Sequence, residues 1–401
     1  MKTAVHTPAN RSASGYERLK IRPVWLEFRK LFMPKRVGLA LLVLLLVGMW
    51  LYPFRAMYPG AAFKDWDTAV AVQMEADYGL RIDEAEFNRF KQSLAPKIAE
   101  ADAYIRSTPA FARAGLDSYE RYVKRDRMIN GGTLPLNRIV EAGPAADLFA
   151  ELQASRNWIE YYEMGTANTL GMNEAEKKRA SEVESRDWVS VLPPNFVGMY
   201  SSWNLLNRLA VTAMLITAML VMPIQIGDRR AGLGELQASS KAGITGLFRM
   251  KTAAALWAGT LAAGTLLVVL LLAYRFSGAW TLMGADINGK AGGLFWYDLS
   301  FLQYVLATYA AVFVLCWMTA LLTVFFSSVA PNYVVLAGAV ALTLILFYES
   351  DYLLNPLLNH MLGVGLGRSP LRTPIALGIL LLASAALAYI AWKRETKRVR
   401  W

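Results

Sequence analysis

The chain alternates between long apolar stretches and one extended polar region. The hydrocarbon core of a bilayer is roughly 30 Å thick, so about 20 consecutive apolar residues form a helix that crosses it. Six stretches fit this description, of which the fifth is the shortest: residues 37–54, 205–226, 252–274, 301–326, 333–348 and 374–392. An uncharged turn could extend the fifth stretch back to Val329. The pattern predicts an all-α integral membrane protein with six transmembrane helices.

The polar region, residues 55–203, lies between the first two predicted spans and is long enough for an independent domain. Within 83–106 the apolar residues recur at helical spacing, with charged residues between them. Further helices are predicted over 64–78, 109–128, 144–164 and 173–188. Residues 55–203 are therefore predicted to form a helical domain, and residues 204–392 a region of five transmembrane helices.

Charged residues fix the predicted orientation. Residues 1–36 carry nine Lys or Arg against two acids, the connection 226–251 carries five against two, and the tail 393–401 carries five against one. The polar region has 18 basic and 22 acidic residues instead. Because Lys and Arg concentrate on the inner side of a membrane, we expect both termini to be cytoplasmic and the polar domain to be extracytoplasmic. The protein is thus expected to be a multi-pass protein of the cell membrane.

The basic residues flank predicted spans and form no patch interleaved with aromatic residues, which excludes a nucleic-acid partner. Trp25 and Phe28 recur near helical spacing, with Arg29 and Lys30 beside them. Residues 16–34 are therefore predicted to form a basic amphipathic helix in the inner interface, in contact with membrane lipids. The alternative is a solvated basic leader that only sets the topology.

The loop 349–373 before the last predicted span has an apolar core that is too short to cross a bilayer. An interface-lying or re-entrant hairpin on the outer side reconciles its length with its composition.

Few residues offer catalytic or metal-binding chemistry. The single cysteine, Cys316, lies inside a predicted span, and the chain has only two histidines, His6 and His360, so no metal site is expected. Residues 284–291 have the spacing of a phosphate-binding loop, but Ala291 replaces the magnesium-binding hydroxyl and no buried strand precedes the loop. We therefore expect no ATPase site, no cofactor and no enzymatic activity in this chain.

The connection 226–251 contains the most specific pattern. It predicts a short helix, a turn of small residues at 239–243, and a second helix that enters the membrane with Lys251 at its surface. Such a compact projection could present itself to a cytoplasmic partner. A short charged loop that merely joins two spans is the alternative, and the residues alone do not decide between them.

A family resemblance bears on this choice. Residues of the connection resemble the cytoplasmic connection in permease subunits of the type-2 exporter family of ABC transporters: Asp228, Gly232, Leu236, Ser239, Ser240 and Lys251. The turn 325–332 is similar to the serine-containing cytoplasmic turn of that family. Where many relatives have Gly-Arg after the first turn, this chain has Ala242 and Gly243.

The resemblance implies a permease dimer, of identical or related chains, docked on two cytoplasmic ABC ATPase subunits that bind the ATP. Residues 228–243 would be the coupling helix, and the interfacial helix 16–34 a second contact. The residues implied in coupling are Asp228, Arg229, Arg230, Gly232, Glu235, Ser239, Ser240, Lys241 and Lys251. The alternative function is a membrane-anchored sensor or envelope assembly factor whose extracytoplasmic domain binds a ligand.

Overall fold

The structure, a computed structural model, describes residues 24–34, 37–42, 45, 66–125, 133–164, 171–193, 196, 205–240, 242–289, 293–349, 363–364 and 369–398. Helices dominate the described residues, beside two strands of three residues each. The predicted helical fold class is confirmed for this part of the chain. Most of the first predicted span, residues 37–54, and most of the predicted hairpin 349–373 lie outside it.

The first described residues form two helical segments, α1 over residues 24–31 and α2 over residues 37–42. The polar domain follows and consists of α3 Trp66–Tyr78, β1 Arg81–Asp83, α4 Glu84–Ser93, α5 Ala95–Ser107, α6 Pro109–Arg113, α7 Tyr119–Lys124, α8 Thr133–Ala142, α9 Ala146–Met164, α10 Glu174–Glu184 and β2 Trp188–Ser190. The bundle comprises α11 Leu205–Val221, α12 Pro223–Arg230, α13 Gly234–Ser239, α14 Gly243–Phe276, a 3-10 turn Ala279–Gly284, α15 Phe301–Val329, α16 Tyr333–Glu349 and α17 Arg372–Arg398.

Four helices of the described residues are long and apolar enough to cross a membrane. They are Leu209–Arg230, which joins α11 to α12, and then Gly243–Phe276, Phe301–Val329 and Arg372–Lys397. These helices coincide with the second, third, fourth and sixth predicted spans. A fifth apolar helix, Tyr333–Ile345 within α16, is shorter and coincides with the fifth prediction.

Several predicted helix ends are wrong. The suggested extension of the fifth span back to Val329 fails because Val329 ends α15, and the Asn332 side chain accepts the Val335 amide at 2.9 Å, which caps a new helix. Helix α14 begins at Gly243, so the helix predicted after the turn 239–243 and the predicted span that starts at residue 252 form one continuous helix. At the other end of the chain, α17 continues to Arg398, so part of the predicted tail 393–401 is helical.

The predicted single helix over 83–106 is two helices, α4 and α5, that meet at Leu94. Asp83 caps α4, since its carboxylate accepts the Glu86 amide at 2.7 Å and the Glu86 side chain accepts the Asp83 amide at 3.1 Å. The two strands, which the sequence pattern missed, form an antiparallel ribbon in which Ile82 pairs with Val189. The ribbon joins the start of the polar domain to its end.

The polar domain shares a hydrophobic core with the bundle. Phe87 and Trp158 of the domain belong to the same buried cluster as Tyr274, Phe301 and Tyr304 of the bundle. A second cluster lies wholly inside the domain and centres on aromatic residues such as Phe111 and Phe149. The domain was predicted to be independent by its length, but its first core is continuous with the end of the bundle.

Helix α15 is the central helix of the bundle and packs against α11, α14 and α17. The helices approach closely at Gly259 of α14, where a Cβ atom would lie 3.2 Å from the Cys316 carbonyl oxygen and 3.3 Å from Thr217 Cγ2. Small residues allow helix backbones to approach closely in membranes, where packing contacts rather than hydrophobic burial hold helices together.

Gly259→Leu is expected to destabilise the bundle by about 1–3 kcal/mol, because the added side chain forces α14 away from α15. Gly264→Leu is the matched control on the same helix, since a Cβ atom there meets nothing within 4 Å. The midpoint of SDS-induced unfolding in mixed micelles measures both. Equal effects of the two substitutions would contradict the close approach at Gly259.

Candidate functional site

Residues 231–240, 242 and 243 form a compact projection, called the knob below, at one end of the bundle. It contains α13 between two reversals of the chain, and Gly232 and Gly243 take positive φ angles of 66° and 61° there. Such angles suit glycine, which lacks the Cβ atom that crowds other residues. A short helix followed by a turn and a second helix was predicted here, and the structure has this arrangement. Lys241 lies outside the described residues.

The outer face of the knob is exposed to solvent. Glu235, Ser239 and Ser240 are exposed, and Leu236 is 69% exposed. The hydroxyls of Ser239 and Ser240 donate to carbonyl oxygens of α13 itself, at 3.2 and 2.8 Å. These four residues therefore present a small surface with one large apolar side chain.

Asp228 connects the knob to the helices on either side of it. Its Oδ2 atom lies 2.6 Å from Nζ of Lys251 and accepts a hydrogen bond of 2.7 Å from Nε2 of Gln237. Lys251 is only 2% exposed and also donates to the Gln225 side chain at 3.1 Å. One carboxylate thus joins α12, α13 and α14. Asp228 and Lys251 were both predicted as coupling residues, and the structure places the Lys251 side chain in the interior.

Arg229 and Arg230 face different neighbours. The Arg229 guanidinium donates to the carbonyl oxygens of Ser327, Ser328 and Ala330, at the C-terminal end of α15. The last carbonyls of a helix lack partners within it, and a cation near them is favourable. Arg230 lies over the Tyr333 ring, 5.5 Å from its centroid. Both residues bind the bundle, a role that the sequence pattern did not indicate.

A cleft beside the knob has a volume of about 70 Å³. Its polar wall includes Gln225, Asp228, Lys251 and Glu395, and its apolar wall is formed by α14. The Gln225 Nε2 atom is buried without a hydrogen-bond partner among the described residues. A polar cavity of this size suits ordered water, which satisfies buried polar groups. Because Glu395 lines the cleft, α17 also contributes a residue to the site.

Helix α1 packs on the same end of the bundle as the knob. Leu31 is 2% exposed and belongs to a buried cluster with Ile224 and Phe248, while Phe28 is partly buried against that cluster. Trp25, which is 59% exposed, stacks on the outer side of Phe28 with 5.3 Å between the ring centroids. Arg29 and Lys30 are also exposed. The helix predicted from this pattern is present over residues 24–31, with one side on the bundle.

The opposite end of the bundle is bound to the polar domain by a set of charged contacts, called the clamp below. Arg179, whose side chain is 9% exposed, donates to the Phe295 carbonyl at 3.0 Å and to Oδ1 of Asp298 at 2.8 Å. Arg186 and Asn288 donate to the same oxygen at 2.7 and 2.9 Å. Partial burial opposes ionisation of Asp298, but these hydrogen bonds outweigh it and lower its pKa to about 2.

The segment that resembles a phosphate-binding loop supports the clamp instead. It is preceded by the 3-10 turn Ala279–Gly284 and not by a strand. Asp286 forms an ion pair with Arg81 at 2.7 Å, and Asn288 donates to the Tyr297 carbonyl at 2.9 Å. Among the described residues, no group of His, Cys, Asp or Glu could hold a metal ion.

Comparison with known proteins finds no matching family model, curated protein or solved structure. The contacts within the site pair Asp228 with Lys251 and Arg229 with the end of α15, and they leave Glu235 and Ser239 on the exposed face. A fixed base that carries an exposed surface can transmit force from a bound partner to the bundle.

Proposed function

We propose that this chain is the permease subunit of an ATP-driven ABC transporter, an exporter of the type-2 family, that couples to a separate cytoplasmic ATPase subunit. The observation that carries the proposal is the knob. Its base is fixed by the buried contact of Asp228 with Lys251, and Leu236 stands exposed at its tip. A rigid projection of this kind can fill a groove on a partner and transmit its movement.

The proposed topology has six spans, cytoplasmic termini and an extracytoplasmic polar domain. The knob, α1 and the end of α17 lie at one end of the bundle, where Leu31, Phe248 and Ala391 share a buried cluster. Segments at this end carry the excess of Lys and Arg, which supports a cytoplasmic position. The polar domain packs on the other end.

In this mechanism, the ATP is bound and hydrolysed by the partner, and this chain contributes no catalytic group. Closure of two ATPases would move the knobs of two permease chains, identical or related, and open a pathway between them. The exposed apolar sides of α14 and α17, such as Trp257 and Leu382, would face membrane lipids or the second chain. Switching between two discrete arrangements of packed helices is how such movements pass through a protein.

Replacing residues 235–241 with a Gly/Ser linker is expected to abolish substrate-linked ATP hydrolysis and to leave membrane insertion intact. A sharper variant is Leu236→Asp, because Leu236 is 69% exposed and its replacement is expected to leave the fold unchanged. Since the new carboxylate would be buried without a partner where the ATPase covers an apolar side chain, we expect binding of the ATPase to weaken by about tenfold or more.

Leu236→Met is the matched control and should retain binding. Co-purification and ATPase assays on the reconstituted complex measure these variants. Full coupling in both the linker variant and Leu236→Asp would refute the assignment.

The second candidate, a membrane sensor or assembly factor, is favoured by the core that the polar domain shares with the bundle. A ligand bound to the domain could act on the membrane helices directly through Phe87 and Phe301. Co-purification decides between the two: a nucleotide-binding subunit that depends on Leu236 supports the transporter, whereas an envelope partner held by the polar domain alone supports the sensor.

A further inference from the structure

Pro223 interrupts the helix that joins α11 to α12. Proline has no amide hydrogen and its ring crowds the preceding turn, so the hydrogen-bond ladder of the helix is interrupted there. At this break the amides of Gln225 and Ile226 each donate to the hydroxyl oxygen of Ser327, at 3.1 Å. The same hydroxyl donates to the Met222 carbonyl at 2.8 Å. One side chain of α15 thus contacts three backbone groups at the break.

Arg229 makes the reverse connection. Ser327 extends from α15 to the backbone of α12, and Arg229 extends from α12 to the backbone of α15 through three carbonyl oxygens. Ser327 is fully buried, and the Arg229 contacts are partly buried. Two side chains therefore hold α12 against α15, while the open ladder at Pro223 leaves the angle between α12 and α11 adjustable.

The knob is attached to the same segment through Asp228, which is contacted by Gln237 of α13 and Lys251 of α14. A displacement of the knob therefore reaches both α12 and α14, and α12 is the one that Ser327 and Arg229 fasten to the end of α15. We infer that Ser327 is the positioning residue through which movement of the knob enters α15, with Pro223 as the hinge that allows α12 to move with α15 rather than with α11. This inference rests on the proposed function and identifies the helix that receives the force.

Ser328 provides a matched control inside the same helix turn. It is buried to the same degree as Ser327, but its hydroxyl donates to the Phe325 carbonyl of its own helix at 2.7 Å. Ser327→Ala and Ser328→Ala remove the same atom from neighbouring buried positions. Only the first substitution removes a contact between helices.

The experiment uses the full chain in lipid nanodiscs, alone and with its ATPase partner. Amide hydrogen exchange is followed by mass spectrometry across residues 219–230. In Ser327→Ala, exchange at Gln225 and Ile226 should be about tenfold faster, since each amide loses a hydrogen bond, and Ser328→Ala should match the wild type. In the complex, substrate-stimulated ATP hydrolysis should fall about fivefold in Ser327→Ala while the basal rate stays unchanged.

Ser327→Cys is a second variant if the alanine protein does not insert. Its sulfur is of similar size and is a weaker acceptor, so both measurements should fall between those of the wild type and Ser327→Ala. Unchanged exchange in Ser327→Ala, or faster exchange with full stimulation, would overturn the inference. If stimulation survives in Ser327→Ala but is lost in the 235–241 linker variant, the proposed function stands and the role of Ser327 falls. If the linker variant itself keeps full stimulation, both fall.

Discussion

Asp228→Ala is expected to destabilise the bundle by about 3–5 kcal/mol, because Lys251 is left buried without its carboxylate. The Lys251 side chain is 2% exposed, and water in the adjoining cleft carries no charge that could neutralise it. Gln237 of α13 loses its acceptor in the same step. We therefore expect the knob to lose its fixed position, and coupled ATP hydrolysis to be lost with it.

The double variant Asp228→Ala/Lys251→Met tests the cause. An apolar side chain of similar length removes the unpaired charge, so most of the lost stability should return. A double-mutant cycle compares the SDS-induced unfolding of the wild type, Asp228→Ala, Lys251→Met and the double variant. Strictly additive effects would show that the two side chains do not depend on each other. Coupling should stay low in the double variant, since the knob remains detached from α12.

Arg179→Met is expected to destabilise the polar domain by about 2–4 kcal/mol, since it removes charge-assisted hydrogen bonds from a nearly buried site. The Phe295 carbonyl loses its donor, and Asp298 keeps only Arg186 and Asn288. Exchange should rise first in the loop that contains Phe295. Arg89→Ala is the control, because Arg89 is 65% exposed, and its 3.5 Å surface pair with Glu86 and its 5.9 Å approach to the Tyr78 ring contribute little.

The clamp also predicts a dependence on pH. The pKa of Asp298 is lowered to about 2 in the folded protein, so its stabilising contribution is complete above the ordinary carboxyl range and is lost as the pH falls through about 2. Asp298→Asn should therefore lower stability at pH 7 and 5 alike, and the difference from the wild type should shrink between pH 4 and 2. Thermal unfolding at each pH measures this, and a difference that shrinks already at pH 5 would contradict it.

Long apolar stretches were sufficient to predict α11, α15 and α17, because a bilayer span needs little besides length and hydropathy. The start of α14 followed from the turn 239–243, but the predicted span began only at residue 252, because Arg249 and Lys251 break the apolar pattern before it. Lys251 is tolerated inside because Asp228, distant in sequence, neutralises it. The cap at Asn332 could have been recognised, as an asparagine after Pro331 and before an apolar run is a helix-start signal.

Within the candidate site, the turn residues were sufficient to predict where the knob lies. They did not show which of the predicted coupling residues are buried at its base and which are exposed on its surface. Whether Asp228 faces a partner or a buried lysine depends on how α12 and α14 pack, which no local pattern contains. Ser327 is one of two adjacent serines in the sequence, and only the packing of α15 against Pro223 distinguishes them. The strands of the polar domain are too short for a period-two pattern.

The central claim is that the knob lies on the inner side of the membrane, opposite the polar domain, where a cytoplasmic ATPase can bind it. The direct measurement labels Ser239→Cys and Glu174→Cys with a membrane-impermeant maleimide, in intact cells and in inverted vesicles. Glu174 is 92% exposed on α10, and the native Cys316 is buried and should not react. We predict that Ser239→Cys reacts only in inverted vesicles and Glu174→Cys only in intact cells. Reaction of Ser239→Cys in intact cells would contradict the topology and, with it, the transporter.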